Sequence, residues 1–162
     1  MQTQIAGICL RKAKDEDAPG ILACLCEAFE EFRGWYTPEA FLDTVLRGET
    51  LRERMENMSV YVAVNPGSQV VGTIACNVLC SGEGHLRGMA VLPSMRGNGV
   101  AAQLLRQAER ELQLRGCARI TLDTTEPLER AMHFYEKHGY HRSGRISDFF
   151  GMPLIEYEKA LP

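Results

Sequence analysis

Apolar positions along this chain repeat with two periods, and the switch between them predicts its elements. Residues 5–10 form a short apolar run that predicts a first strand. Residues 15–17 resemble the capped start of a helix with Pro19 in its first turn, and Ile21, Leu22, Leu25, Ala28, Phe29 and Phe32 follow at helical spacing. Gly34-Trp35-Tyr36-Thr37-Pro38 breaks that helix. Pro38 and Glu39 open a second, with Phe41, Leu42, Val45 and Leu46 inward, and a third helical piece covers residues 51–58. At Ser59 the texture changes. Residues 60–64 and 70–79 are β-branched apolar runs joined by Asn65-Pro66-Gly67-Ser68, the pattern of a hairpin. Ser81-Gly82-Glu83-Gly84 predicts a second turn, and residues 85–92 a third antiparallel strand.

Beyond residue 99, Ala101, Leu104, Leu105, Ala108 and Leu112 trace one face of a helix that Gly116 ends. Residues 118–123 alternate as a strand, a helix follows from near Pro127 to His138, and residues 140–146 and 154–160 predict a last strand pair. The order β-α-α-β-β-β-α-β-α-β-β predicts an α/β protein with a mixed sheet, its one strand–helix–strand crossover parallel and right-handed. No linker, repeat or low-complexity segment divides residues 1–162, so a single domain is expected.

Between the third strand and the next helix lies Val91-Leu92-Pro93-Ser94-Met95-Arg96-Gly97-Asn98-Gly99-Val100-Ala101. Glycines let the backbone bend sharply and leave its N–H groups uncovered. Those groups, with the orphan donors and positive dipole end of the new helix, suit an anion such as a phosphate, and Arg96 adds a positive charge. There is no Gly-Lys-Ser/Thr ending of a phosphate loop, and position 102 holds Ala where the dinucleotide fingerprint needs its third glycine. On this stretch alone, a glycine-rich turn without ligand remains the alternative.

Composition narrows the classes. The chain is that of a globular protein, with 45% hydrophobic and 24% charged residues and a net charge of −3. That balance gives no footprint for nucleic acid or an anionic membrane, and no apolar run reaches spanning length. Met1-Gln2-Thr3-Gln4 is not the basic start of a signal peptide, so a cytoplasmic location is expected. The six cysteines include no C-x-x-C pair and read as buried free thiols rather than disulfides. His138 and His141 straddle Gly139, so no metal site is expected.

The element order, Arg96-x-x-Gly99-x-Ala101 preceded by Val91 and Pro93, and Phe134-Tyr135-Glu136-Lys137-His138-Gly139-Tyr140 together resemble the GNAT superfamily of acetyl-CoA-dependent N-acetyltransferases. Asp15-Glu16-Asp17 fits that family's usual opening. The resemblance implies a GNAT fold: a mixed central sheet of about six to seven strands, with antiparallel N-terminal hairpins and one parallel crossover, flanked by about four helices. It implies an enzyme moving an acetyl group from acetyl-CoA to a primary amine by direct attack in a ternary complex, without a metal. A non-catalytic acyl-CoA sensor or interaction module with the same fold is the alternative. Another acyl-CoA would also fit.

By matching position, main-chain groups of Met89, Ala90 and Val91 would pair with the pantetheine arm. The N–H groups of Arg96, Gly97, Asn98, Gly99, Val100 and Ala101 would hold the pyrophosphate. Tyr135 matches the tyrosine facing the thioester sulfur. A phenol of pKa about 10 can donate a proton to a departing thiolate of pKa about 8.5. Tyr135 also falls on the face of Leu128, Ala131 and Met132, where a core aromatic would sit. Relatives often carry a glutamate base where this chain has Arg87 and Gly88, and an asparagine where it has Leu128. Glu83 and His85 are the substitute bases, with solvated turn residues as the other reading. The acceptor pocket of relatives maps to Phe29, Glu30, Glu31, Phe32, Trp35 and Tyr36, with Phe149 and Phe150 opposite. Carboxylates near aromatics would suit a cationic amine, either a small molecule or a protein amino group, although Glu30 and Glu31 equally fit a solvated helix end. Relatives are often dimers, so a homodimer is one state open to this chain.

Overall fold

A computed structural model describes residues 7–80 and 82–162, so Ile5, Ala6 and Ser81 of the expected first strand and second turn lie outside the described residues. The strands are β1 (Cys9–Lys12), β2 (Ser59–Val64), β3 (Val70–Cys80), β4 (Glu83–Val91), β5 (Arg119–Thr124), β6 (His141–Phe149) and β7 (Met152–Ala160). The helices are α1 (Ala18–Phe29), α2 (Pro38–Val45), α3 (Gly48–Asn57), α4 (Val100–Leu114) and α5 (Glu129–Lys137). The third helical piece is thus a helix of its own. All seven strands join one sheet in the order β1-β2-β3-β4-β5-β7-β6. Only β4 and β5 run parallel, joined through α4.

β3 is buried without interruption from Val70 to Cys76, because α1 and α4 both pack on it. Close approach of α4 rests on Gly72 and Gly84, where a Cβ would meet Leu104 and Leu112 at 2.9 and 2.8 Å. Leu104, Leu105, Ala108 and Leu112 are fully enclosed, as their helical spacing predicts. A smaller cluster of Tyr36, Ala40, Phe41, Val45 and Met152 fixes α2 against the β6–β7 turn. Thr37 serves both elements: its Oγ1 accepts from the Ala40 N–H and donates to the Phe150 carbonyl at 2.9 Å.

Four expectations change. The first strand runs to Lys12, because its register carries Lys12 opposite Tyr61. Asp17 ties the turn before α1 rather than capping that helix: its carboxylate accepts from the Lys14 N–H at 2.7 Å and from Arg11 at 2.6 and 2.9 Å. Leu42, expected inward, is 55% exposed, since α2 buries only a narrow face carrying Ala40, Phe41 and Val45. All six cysteines are free, yet only Cys24, Cys76 and Cys117 are buried, while Cys9, Cys26 and Cys80 are exposed. Burial pushes the Cys24 and Cys76 thiols up to about 12, which keeps them unreactive. No described helix is long and apolar enough to cross a membrane, and no described cluster of His, Cys, Asp or Glu could hold a metal.

Candidate active site

The β4–β5 ladder ends at Leu86↔Leu122. Beyond that pair β5 continues against β7, while β4 keeps only β3 as a neighbour as far as Val91. The strands part, and the free edge of β4 opens into a cavity of about 980 Å³. A one-residue bulge sits at the fork: Ala75 pairs with Arg87 and Thr73 with Ala90, leaving Gly88 at φ +62° and Met89 between them. Met89, Ala90 and Val91 line the cavity with an unpaired strand edge, a template for an extended ligand.

Past β4 the chain makes a 3-10 turn over Pro93–Met95 and then the glycine loop. Gly97 and Gly99 take φ of 82° and 79°, and Gly99 is the residue from which α4 starts. This left-handed backbone is one a β-branched residue resists. From Gly97 to Ala101 no main-chain N–H donates to a described residue. These donors sit at the positive end of a 15-residue helix, and Gly97, Gly99, Val100 and Ala101 line the cavity. Asn98 does not; its side chain turns back to the Met95 and Arg96 carbonyls at 3.2 and 3.4 Å. Nor is Arg96 a free charge beside the loop. Its guanidinium donates to the Ala28 carbonyl at 3.3 Å and pairs with Glu31 at 2.7 Å.

The cavity's sign is opposite to that of the chain. Its wall carries five basic side chains (Arg54, Arg87, Arg96, Arg130, Lys137) and two acidic ones (Asp43, Asp123), in a protein of net charge −3. Two buried polar atoms in the lining residues, Asn77 Oδ1 and Thr124 Oγ1, have no hydrogen-bond partner among the described residues. Such atoms are costly unless a ligand or water meets them.

Tyr135 combines the two sequence readings. It is buried, with edge-to-face contacts to Phe134 and Tyr140 at centroid distances of 5.4 and 5.8 Å, as a core aromatic would have. It also lines the cavity, and its hydroxyl hydrogen-bonds to no described residue. Burial alone pushes its pKa upward, so it stays a phenol able to donate.

The two candidate bases are separated. Glu83, at the start of β4, is bound by Arg119 and lies 3.3 Å from Cys80 Sγ, outside the wall of the main cavity. His85 does line it. Its Nδ1 lies 2.8 Å from Thr121 Oγ1 and its Nε2 3.6 Å from Asp123 Oδ2. Burial pushes His85 below the ordinary histidine value and Asp123 above the ordinary carboxylate value, so the imidazole is neutral near pH 7.

On the opposite wall, Phe29, Phe32, Tyr36 and Phe149 line the cavity, and Tyr36 is held by a 2.6 Å hydrogen bond between its hydroxyl and Thr125. Glu30, Trp35 and Phe150 do not line it. Glu30 is bound to Arg33 at 2.9 Å, Trp35 is 74% exposed, and Phe150 is 52% exposed at φ 50°. The sequence reading missed Arg54, Asp43 and Arg87 as lining residues. The signal for Arg54 was present: Leu51, Arg54, Met55 and Met58 share one helical face.

Over residues 22–140 the sequence matches the model of the acetyltransferase (GNAT) family. The fold is similar to that of a GNAT-family acetyltransferase from Staphylococcus aureus Mu50 (18% identity, TM-score 0.79, covering 96% of this chain and 99% of that one). It is similar to PaiA N-acetyltransferase from Thermoplasma acidophilum, solved in complex with coenzyme A (20%, 0.78, 95% and 99%). It is also similar to ribosomal-protein-alanine N-acetyltransferase from Brucella melitensis (22%, 0.74, 94% and 99%). At these identities the likeness is one of fold.

Proposed function

This chain belongs to the GNAT acetyltransferase family, and from that premise we propose that it transfers an acetyl group from acetyl-CoA to a primary amine, both held together in the cavity. The observation that carries this reading is that one cavity is lined by three features: the free β4 edge, the unpartnered N–H groups of the Gly97 to Ala101 segment, and Tyr135. An extended polyanion with an apolar arm fits that sequence of groups, and the cavity's surplus of basic side chains favours it over a neutral ligand. Acetyl-CoA supplies an activated thioester, so no covalent enzyme intermediate is needed.

The chain's own groups then have distinct tasks. The N–H groups of the glycine loop hold the pyrophosphate, and the edge of Met89, Ala90 and Val91 orients the pantetheine arm. The Tyr135 phenol, kept protonated by burial, donates its proton to the departing sulfur. His85, kept neutral by burial and held at Nδ1 by Thr121, accepts at Nε2 the proton the amine must lose, and the Asp123 carboxylate 3.6 Å from Nε2 stabilises the charge that forms. Phe29, Phe32, Tyr36 and Phe149 exclude water from this end.

Thiol release measured with acetyl-CoA against a panel of amines, amino acids and peptides tests the reading. Turnover on at least one acceptor is expected. Tight acetyl-CoA binding with no turnover on any acceptor would instead favour a sensor, the reading prompted by Arg87 and Gly88 standing where relatives often carry a glutamate.

A further inference from the structure

Resting on that transferase reading, we propose that the acceptor is a small amine bearing a carboxylate, an amino acid or a close analogue, and that Arg54 selects it. The guanidinium of Arg54 reaches from α3 to the β4 bulge, so close that a Cβ on residue 88 would stand 2.5 Å from its Nη1. Gly88 is therefore the residue that lets this side chain enter the cavity. Among the described residues the guanidinium donates no hydrogen bond and forms no ion pair. The nearby carboxylate, Asp43, is already 3.7 Å from Arg87. Two arginines thus share the charge of one acid, and Arg54 lines the cavity, as does Asn77, whose Oδ1 has no partner among the described residues. An arginine withdrawn from water without a carboxylate is costly, and its planar fork matches a carboxylate bidentately. Burial and the charge of Arg87, against the opposing charge of Asp43, push the Arg54 pKa down to about 10, so it stays charged at neutral pH.

Position separates Arg54 from the phosphate cradle. Gly88 lies two residues past the last β4–β5 pair, where the strands part. From there to Val91 the strand adds about 10 Å, with the glycine loop beyond it. Arg54 therefore stands on the reaction-centre side of the cavity. His85, three residues before Gly88 on β4, and Asp123 on β5 line the same cavity, and they are the groups that receive an ammonium and its proton. A cation-accepting pair and an arginine without an ion-pair partner among the described residues, lining one cavity, form a template for a zwitterion. The amino end of a protein chain carries its carboxylate elsewhere and lacks this match.

The test titrates CoA-saturated protein calorimetrically with L-amino acids and with the matching amino acid amides, and measures acetyl-CoA turnover on the same panel. The acids should bind about 10- to 100-fold tighter than the amides, the range for a charge-assisted hydrogen-bonded pair. Arg54→Met should bring that ratio to within about twofold, and Arg54→Lys should restore part of it. In turnover the loss should fall on the acceptor KM and leave the acetyl-CoA KM in place. Equal binding of acids and amides to the wild type, or a preference that survives Arg54→Met, overturns the inference. A carboxylate could also arrive on the acyl group. If Arg54→Met lowers use of succinyl-CoA with a plain amine while acid and amide acceptors bind alike, the acceptor assignment is wrong. Because binding is read without turnover, acid-selective binding with no thiol release overturns the transferase reading alone.

Discussion

On the α4–α5 side the cavity is lined by main-chain groups, the free edge of β4 and the N–H groups from Gly97 to Ala101, and by side chains close to them in sequence, among them the Tyr135 phenol and the charges of Arg96, Arg130 and Lys137. On the α2–α3 side the lining groups are side chains brought from four separate segments: Tyr36, Asp43, Arg54 and Phe149. A main-chain site needs only a backbone path, which glycines and a strand end can specify locally. A side-chain site needs each residue delivered by tertiary packing, so it can change with the acceptor while the first half stays constant. The first half is prescribed by local backbone, the second by tertiary packing.

The sharpest way to break the first half is to fill its backbone turn. Gly99→Val places a β-branched side chain on a φ of 79° and over the N–H donors of α4. Loss of two or more charge-assisted hydrogen bonds should weaken acetyl-CoA binding by about 10²- to 10⁴-fold, while circular dichroism shows an intact fold. Unchanged affinity in calorimetry would refute the phosphate cradle. Next in size is Tyr135→Phe. The ring contacts to Phe134 and Tyr140 remain, so stability and acetyl-CoA affinity should hardly move. Turnover should fall by about 10²- to 10³-fold if the phenol protonates the leaving sulfur; a wild-type rate would leave Tyr135 a core residue only.

This division also explains how much could be read from the sequence. The glycine loop, the strand before it and the Tyr135 segment are each written in consecutive residues, and in the structure all three line one cavity. Glu83 and His85 are two positions apart on β4, yet only His85 meets the cavity, because Arg119 on the neighbouring strand captures Glu83. No local pattern contains that partner. Glu30 and Trp35 fall in the segment that the family resemblance maps to the acceptor pocket, but the 3-10 turn over Glu30–Trp35 sends Glu30 to Arg33 and Trp35 to solvent. Arg54 shares a helical face with Leu51, Met55 and Met58, but its approach to the β4 bulge, far away in sequence, is visible only in the fold.

His85 stands where the two halves meet, and pH should report on it. Burial lowers its folded-state pKa below about 6.5, against the opposing charge of Asp123. The acid limb of kcat/KM should therefore lie below pH 6.5. His85→Gln should lower kcat by about 10- to 100-fold and remove that limb. The stability sign follows from the same shift. Below pH 6.5 the unfolded chain takes up the proton first, so the contribution is fully present above that pH and is lost as pH falls through the folded value. A limb that persists in His85→Gln would assign it to another group.

The smallest effects come from two adjacent glutamates that the sequence treats alike. Glu30 is exposed and its carboxylate is held below the usual range by Arg33, outside the cavity wall. An exposed pair of this kind contributes little, so Glu30→Gln should change acetyl-CoA and acceptor KM by less than about twofold. Glu31 instead holds Arg96 at 2.7 Å and reaches Arg130 at 3.6 Å, and both arginines line the cavity. Removing that carboxylate frees two positive charges for an anionic ligand. Glu31→Gln should therefore tighten acetyl-CoA binding by about two- to fivefold at low ionic strength, and the gain should fade as salt screens it. Equal behaviour of the two variants would mean that Arg96 already reaches the ligand past Glu31. A loss of affinity in Glu31→Gln alone would mean that the Glu31–Arg96 pair orients the glycine loop, which would extend the prescribed half of the cavity to the end of α1.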